Sequence, residues 1–132
     1  MYLVAFWLTL RKFRSPRVKA DLIDRTYEGR MNNMVVANGQ FFGGGWKVAP
    51  KAAPTDGILD IQIYHNSKRE SLAMVQKVHK GTHLPHPDVE EAKRVRVSLE
   101  TDQPVLIEAD GEVLGHTPAE FEVLKDLLNL KV

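Results

Sequence analysis

The 132 residues make one domain of ordinary size and exclude two full-sized ones. Lys and Arg number 18 against 17 Asp and Glu, a net charge of +1 that argues against binding a polyanion by bulk electrostatics, so nucleic acid is not an expected partner. The absence of cysteine excludes disulfide scaffolds, thiolate metal sites and cysteine nucleophiles together, and fits a reducing, cytoplasmic compartment.

The longest apolar stretch, Tyr2 to Leu10, is interrupted by Thr9 and is about half of the ~20 residues needed to span a bilayer. Its positive charges, Arg11, Lys12, Arg14 and Arg17, follow the apolar run instead of preceding it, which is the reverse of a signal peptide. Leu3, Phe6, Trp7 and Leu10 recur at three- and four-residue spacing, so the chain opens as the end of a helix that Ser15-Pro16 stops. A helix that starts without a cap and is apolar on nearly every side has the look of a cut element. A basic membrane-surface segment is the competing reading.

From Arg17 onward the pattern has period two. Val18, Ala20 and Leu22 alternate with Arg17, Lys19 and Asp21; Leu59, Ile61 and Ile63 alternate with Asp60, Gln62 and Tyr64; Val95, Val97 and Leu99 alternate with Arg94, Arg96 and Ser98. Each of these runs predicts a strand with one buried and one wet face, and Met34 to Ala37 adds a short apolar strand. One helix interrupts them. Ser67-Lys68-Arg69-Glu70 has capping-box spacing, Leu72, Val75 and Val78 form a stripe that would cover a sheet, and Gly81 ends it. A further strand, Val105 to Ala109, runs into the tight-turn dipeptide Asp110-Gly111. Phe121, Val123, Leu128, Leu130 and Val132 suggest a closing strand region, with Leu124 to Leu128 as an alternative short helix. Many short strands with turn signals between them predict a mainly β fold, an antiparallel β-sandwich with one or two short helices.

Three segments could carry chemistry. Phe41-Phe42-Gly43-Gly44-Gly45-Trp46 allows backbone conformations and close approaches that side chains forbid, so a ligand or another backbone is expected there, or else a glycine bulge between packed aromatics. It lacks the Gly-Lys-Ser/Thr of a nucleotide-binding loop. Asp56 sits in a loop rigidified by Pro50, Pro54 and Gly57, either capping a turn or holding a cation such as Mg²⁺ with help from backbone carbonyls and water. Glu108, Asp110 and Glu112 gather carboxylates around one turn, where Asp110 and Glu112 could cooperate as base and electrostatic partner or form a solvated acidic hairpin. His79, His83 and His86 do not read as a zinc site, because Gly81 separates the first two and prolines bracket the third. No Gly-x-Ser-x-Gly elbow is present, which argues against serine hydrolase chemistry.

Taken together, Ala37-Asn38-Gly39-Gln40-Phe41-Phe42-Gly43-Gly44-Gly45, then Ala49-Pro50-Lys51-Ala52 and Asp56-Gly57-Ile58-Leu59-Asp60, then Asp110-Gly111-Glu112 with Gly115 and Pro118, resemble the carboxy-terminal domain of diacylglycerol kinase and sphingosine kinase-like lipid kinases, particularly the bacterial soluble type. Gly81 and His83 lie between these motifs, and the resemblance runs from about Val18 to the end of the chain. It implies that residues 15–132 form the β-sandwich second domain and that residues 1–14 are the helix leading out of an absent nucleotide-binding domain. It further implies Glu112 as proton acceptor for a lipid hydroxyl, Asp110 as an orienting group, and a structural Mg²⁺ held by the backbone carbonyls of Ala53 and Ile58 and the side chain of Asp56.

On this reading the chain is the acceptor-side half of an ATP-dependent lipid kinase acting on a diacylglycerol-like alcohol at a membrane surface. ATP would be held mainly by the nucleotide-binding domain, and the isolated chain would not turn over. The basic stretch Arg11 to Lys19 would favour a peripheral position on anionic lipid. Uncovered apolar surface predicts a homodimer. The alternative is a non-catalytic β-sandwich module for lipid binding or assembly.

Overall fold

Val18, Ala20 and Leu22 turn one face of an extended segment inward, and all three are buried. In the computed structural model, which describes residues 14–127, this segment is β1 (Arg17–Asp21). It is followed by β2 (Thr26–Arg30), β3 (Asn33–Ala37), β4 (Leu59–Tyr64), helix α1 (Lys68–Lys80), β5 (Val89–Arg94), β6 (Arg96–Thr101), β7 (Leu106–Ala109), β8 (Glu112–His116) and β9 (Ala119–Glu122). The amino-terminal helix expected over residues 1–14 falls almost wholly outside the described residues, as do Leu128, Leu130 and Val132.

The strands form a four-stranded sheet in the order β2-β1-β6-β9, a three-stranded sheet β3-β4-β5 and a two-stranded ribbon β7-β8, with every pairing antiparallel. The two larger sheets face each other. Val18, Ala20 and Leu22 from the β1 region and Val97 and Leu99 from β6 meet Leu59, Ile61 and Ile63 of β4 and Met31 in one continuous core. Tyr27, Met34, Val36, Ala92, Val105, Phe121 and Val123 pack around it. This is the antiparallel β-sandwich that the alternation predicts, with one helix among the described residues.

Strand β4 departs from the expected pattern, because all six of its residues are buried. Its second face lies under α1 and the loops, where Tyr64, Met74 and Val89 form a smaller cluster with Val35, Val78 and Leu84. Asp60 and Gln62, expected on a wet face, are therefore inside and paired: Lys93 Nζ lies 3.3 Å from Asp60 Oδ2, and Gln62 Nε2 donates to the Val48 carbonyl at 3.1 Å. Gln62 Oε1 accepts from the Tyr64 hydroxyl. Burial, and then the nearby Glu91 carboxylate, push the Tyr64 pKa up to about 12.

Helix α1 begins and ends where its caps predict. Ser67 accepts from the Glu70 N–H while Glu70 Oε2 accepts from the Ser67 N–H, and Gly81 closes the helix at φ 71°. Hydrogen bonding of the Glu70 carboxyl to the Ser67 side chain, and then to the Ser67 N–H, holds it below its ordinary pKa. The buried face differs from the predicted stripe. Met74 is the buried residue and Val78 packs beside it, whereas Leu72 and Val75 are exposed. Val95 is also exposed, at the bend between β5 and β6. The closing strand expected from Phe121 is present as β9, which pairs with β6 but ends at Glu122; a turn at Lys125 and Asp126 follows, and no helix forms up to residue 127.

Candidate functional site

Asp110 and Glu112 lie on the β7-β8 ribbon. Asp110 and Gly111 have φ values of 51° and 85°, the two positive angles of a type I′ turn, and Ala109 pairs directly with Glu112. The register slips by one residue between Ile107 and Glu108, and Gly115, at φ 146°, lies opposite Ile107. The ribbon is tied to the sandwich at its base. Thr117 donates its N–H to the Val105 carbonyl at 2.9 Å, its hydroxyl accepts from the Val105 N–H at 3.0 Å, and that hydroxyl is hydrogen-bonded to Thr101 at the end of β6. Beyond this anchor both strands are largely exposed, Val113 at 61% and Leu114 at 63%. The two carboxylates therefore stand at the tip of a projecting arm, open to a reactant from several sides.

Asp56 belongs to the loop that leads into β4. Its N–H donates to the Ala53 carbonyl at 3.1 Å, and its Oδ1 accepts from the Ile58 N–H at 2.9 Å, with Gly57 between them at φ 68°. The turn reading of Asp56 is thus realised. The oxygens that the metal reading requires keep capacity beside these bonds, because a carbonyl has two lone pairs and a carboxylate about four. One carboxylate and two carbonyls are hard donors suited to Mg²⁺, with water completing the shell. A Cβ at Gly57 would come within 2.9 Å of the Lys125 side chain, so the segment after β9 packs over this loop.

The preceding Ala49-Pro50-Lys51-Ala52 segment explains itself by packing. Ala49 and Ala52 are both buried, Ala52 donates to the Ala49 carbonyl at 3.0 Å, and Lys51 Nζ reaches Glu91 at 2.8 Å. The glycine segment is a small hairpin in which Phe42 and Trp46 exchange backbone hydrogen bonds of 2.9 and 3.1 Å. Gly43, Gly44 and Gly45 all have positive φ. The expected close approach is not made by this chain: a Cβ at Gly43 or Gly45 would meet nothing within 4 Å among the described residues. Backbone angle, not crowding, requires glycine here.

The histidines part company. His79 meets Trp46 edge-on, with ring centroids 5.0 Å apart, and His86 Nδ1 accepts from the Asp88 N–H at 3.1 Å. His83 is 2% exposed and stacks on Tyr64 at 6.4 Å. Burial pushes its pKa below 6.5. The carbonyls of Val48 and Lys77 and the Glu91 carboxylate oppose that shift, although neither ring nitrogen makes a hydrogen bond of ordinary geometry.

The structure thus brings Asp110 and Glu112 together on one ribbon, and Ala53, Asp56 and Ile58 together in one loop. No hydrogen bond or ion pair among the described residues joins the two groups. Sequence reasoning missed β2 and β5, whose Thr-Tyr-Glu-Gly-Arg and Val-Glu-Glu-Ala-Lys-Arg segments carry too few apolar residues to alternate visibly.

Over 117 residues, 81% of this chain, the sequence is 28% identical to proteins named "Putative lipid kinase" in Staphylococcus aureus strains JH9 and Newman. It covers 36% of their length, so the chain spans about a third of these curated relatives. Among solved structures, a diacylglycerol kinase from Bacillus anthracis strain Sterne matches with a TM-score of 0.70 at 25% identity, over 92% of this chain and 42% of that one. A match to the family model over residues 1–132 accompanies these likenesses, and the chain belongs to the YegS C-terminal NAD kinase beta sandwich-like domain family.

Proposed function

We propose that this chain is the acceptor-side half of an ATP-dependent lipid kinase and works together with a nucleotide-binding domain. The observation that carries the reading is the projecting β7-β8 arm, which presents Asp110 and Glu112 on a type I′ turn while leaving its own apolar residues uncovered. The lipid kinase and diacylglycerol kinase names of the relatives supply the substrate class.

In this reading Glu112 accepts the proton of a diacylglycerol-like hydroxyl as its oxygen attacks the terminal phosphorus of ATP, and ADP leaves in line. Asp110, two residues away across the turn, orients the hydroxyl. The Ala53 and Ile58 carbonyls and the Asp56 carboxylate would hold a structural Mg²⁺, whose charge stiffens the loop entering β4. The phosphate-cradling groups come from the nucleotide-binding domain, so the chain alone transfers no phosphate. The same reading carries a homodimer, which sedimentation equilibrium measures.

The test is phosphate transfer from Mg·ATP to diacylglycerol in mixed phosphatidylglycerol vesicles, with the chain alone and with a nucleotide-binding domain from the same kind of kinase. Transfer only on mixing, lost with Glu112→Gln, supports the assignment. Full transfer with Glu112→Gln removes the general base.

A further inference from the structure

A second surface, separate from the carboxylate arm, has a chemistry of its own. Phe41 is 67% exposed, and Phe42, Trp46, Leu72 and Val75 are exposed as well. They belong to two elements that touch. Trp46 packs on His79 of α1, the Lys47 N–H donates to the His79 carbonyl at 3.4 Å, and a groove of about 210 Å³ lies between Trp46 and Val75, Gln76, His79 and Lys80. Along α1, Arg69, Leu72, Val75, Gln76, His79 and Lys80 recur at three- or four-residue spacing and share one side of the helix.

The charge around this face is of one sign. Lys47 Nζ lies 5.9 Å from the Phe41 ring centroid, Lys80 lines the groove, and Arg69 stands at the other end of the helix side. No carboxylate lies within 4.0 Å of Lys47, Arg69 or Lys80 among the described residues, and Glu70, the one acidic residue of α1, is engaged by the Ser67 cap. Exposed apolar and aromatic residues on the hairpin and the adjoining side of α1, with open space around Gly43 and Gly45 among the described residues and a border of unneutralised cations, match the two layers of an anionic bilayer surface. The aromatic rings suit the region beneath the headgroups and the cations suit the headgroups themselves.

We propose that the face formed by Phe41, Phe42, Trp46, Leu72 and Val75, bordered by Lys47, Arg69 and Lys80, seats the protein on an anionic lipid surface. It deepens the kinase reading by naming the surface from which a lipid alcohol would be met, and it is independent of Asp110 and Glu112. Loss of lipid phosphorylation by Glu112→Gln with intact seating, or the reverse, tells the two apart.

The chain has two tryptophans, Trp7 and Trp46, so Trp7→Phe leaves Trp46 as the only indole reporter. Its emission is followed on adding vesicles of phosphatidylcholine, or of phosphatidylcholine with phosphatidylglycerol, each with brominated acyl chains. Expected are a blue shift and quenching with the phosphatidylglycerol vesicles, weakened by salt and by about fivefold for each of Lys47→Ala and Lys80→Ala. Should Trp7→Phe fail to fold, co-sedimentation of Phe41→Ser/Phe42→Ser in the otherwise unchanged chain, with its circular dichroism checked, reads the same surface. It should bind about tenfold more weakly or worse.

Sedimentation with vesicles while Trp46 stays unquenched would overturn the proposal, as would equal insertion into phosphatidylcholine alone. Burial of Trp46 by rising protein concentration, or by an added nucleotide-binding domain, with no vesicles present would assign the face to a protein partner and overturn it as well.

Discussion

Strand β4 and the β7-β8 ribbon use similar apolar residues to opposite ends. β4 is buried on both faces, by β1 and β6 across the sandwich and by α1 behind it, and every polar side chain it carries inward is matched to a partner. Among the described residues, the ribbon carries Leu106, Val113 and Leu114 into the open and is tied to the sandwich by hydrogen bonds at Val105 and Thr117. A two-stranded ribbon without a covering layer is marginally stable by itself. Stability therefore resides in the sandwich, and the residues proposed to do chemistry stand on the part that the sandwich supports least.

This contrast can be broken at either end. The largest effect is expected from Glu112→Gln, which should lower turnover of the reconstituted pair by about 10²–10⁴-fold, the usual contribution of a general base, while thermal melting stays unchanged. Ile61→Ala should do the converse. It empties a fully buried site between the two sheets and should cost about 2–5 kcal/mol in denaturant unfolding.

A smaller effect concerns acid. Because burial keeps His83 neutral in the folded chain with its pKa below 6.5, unfolding releases a group that takes up protons more readily. The His83 contribution is complete above the ordinary value near 6.5 and is lost as pH falls from there toward the depressed folded value. His83→Gln should flatten that part of the melting-temperature profile.

Gly111→Ala should cost about 1 kcal/mol or less of global stability, since its φ of 85° disfavours a side chain although space is open around it. It should nonetheless reduce turnover by displacing Glu112. The smallest effect is Val113→Ser, within about 0.5 kcal/mol because that side chain is largely exposed. A larger loss would mean that the arm is packed more firmly than its exposure indicates.

Much of the fold was legible because packing writes a period into sequence. The alternation of Val18, Ala20 and Leu22, the Ser67 and Glu70 cap, and the Asp110-Gly111 turn all appear in the structure in the expected places. Period alone cannot say how many layers a strand meets, so β4 read as half wet. Nor can it say which side of a helix faces the sheet when Leu72, Met74, Val75 and Val78 offer two overlapping stripes. The Met74 and Val78 stripe won because it meets Tyr64 and Val89. β2 and β5 were illegible for a related reason: edge strands need few apolar residues, and Tyr27 or Val89 and Ala92 suffice. Of the candidate site, the turn geometry at Asp110 and Asp56 was readable from the glycines that follow each, whereas the isolation of the arm depends on what does not pack against it.

Amide hydrogen exchange across residues 106–116, measured for the chain alone and with a nucleotide-binding domain of the same kinase type, tests the account most directly. The account predicts that β7 and β8 exchange rapidly in the chain alone while β4 exchanges only through global unfolding, and that the ribbon gains protection on mixing. Ribbon amides as protected as those of β4 in the chain alone, with no change on mixing, would contradict it.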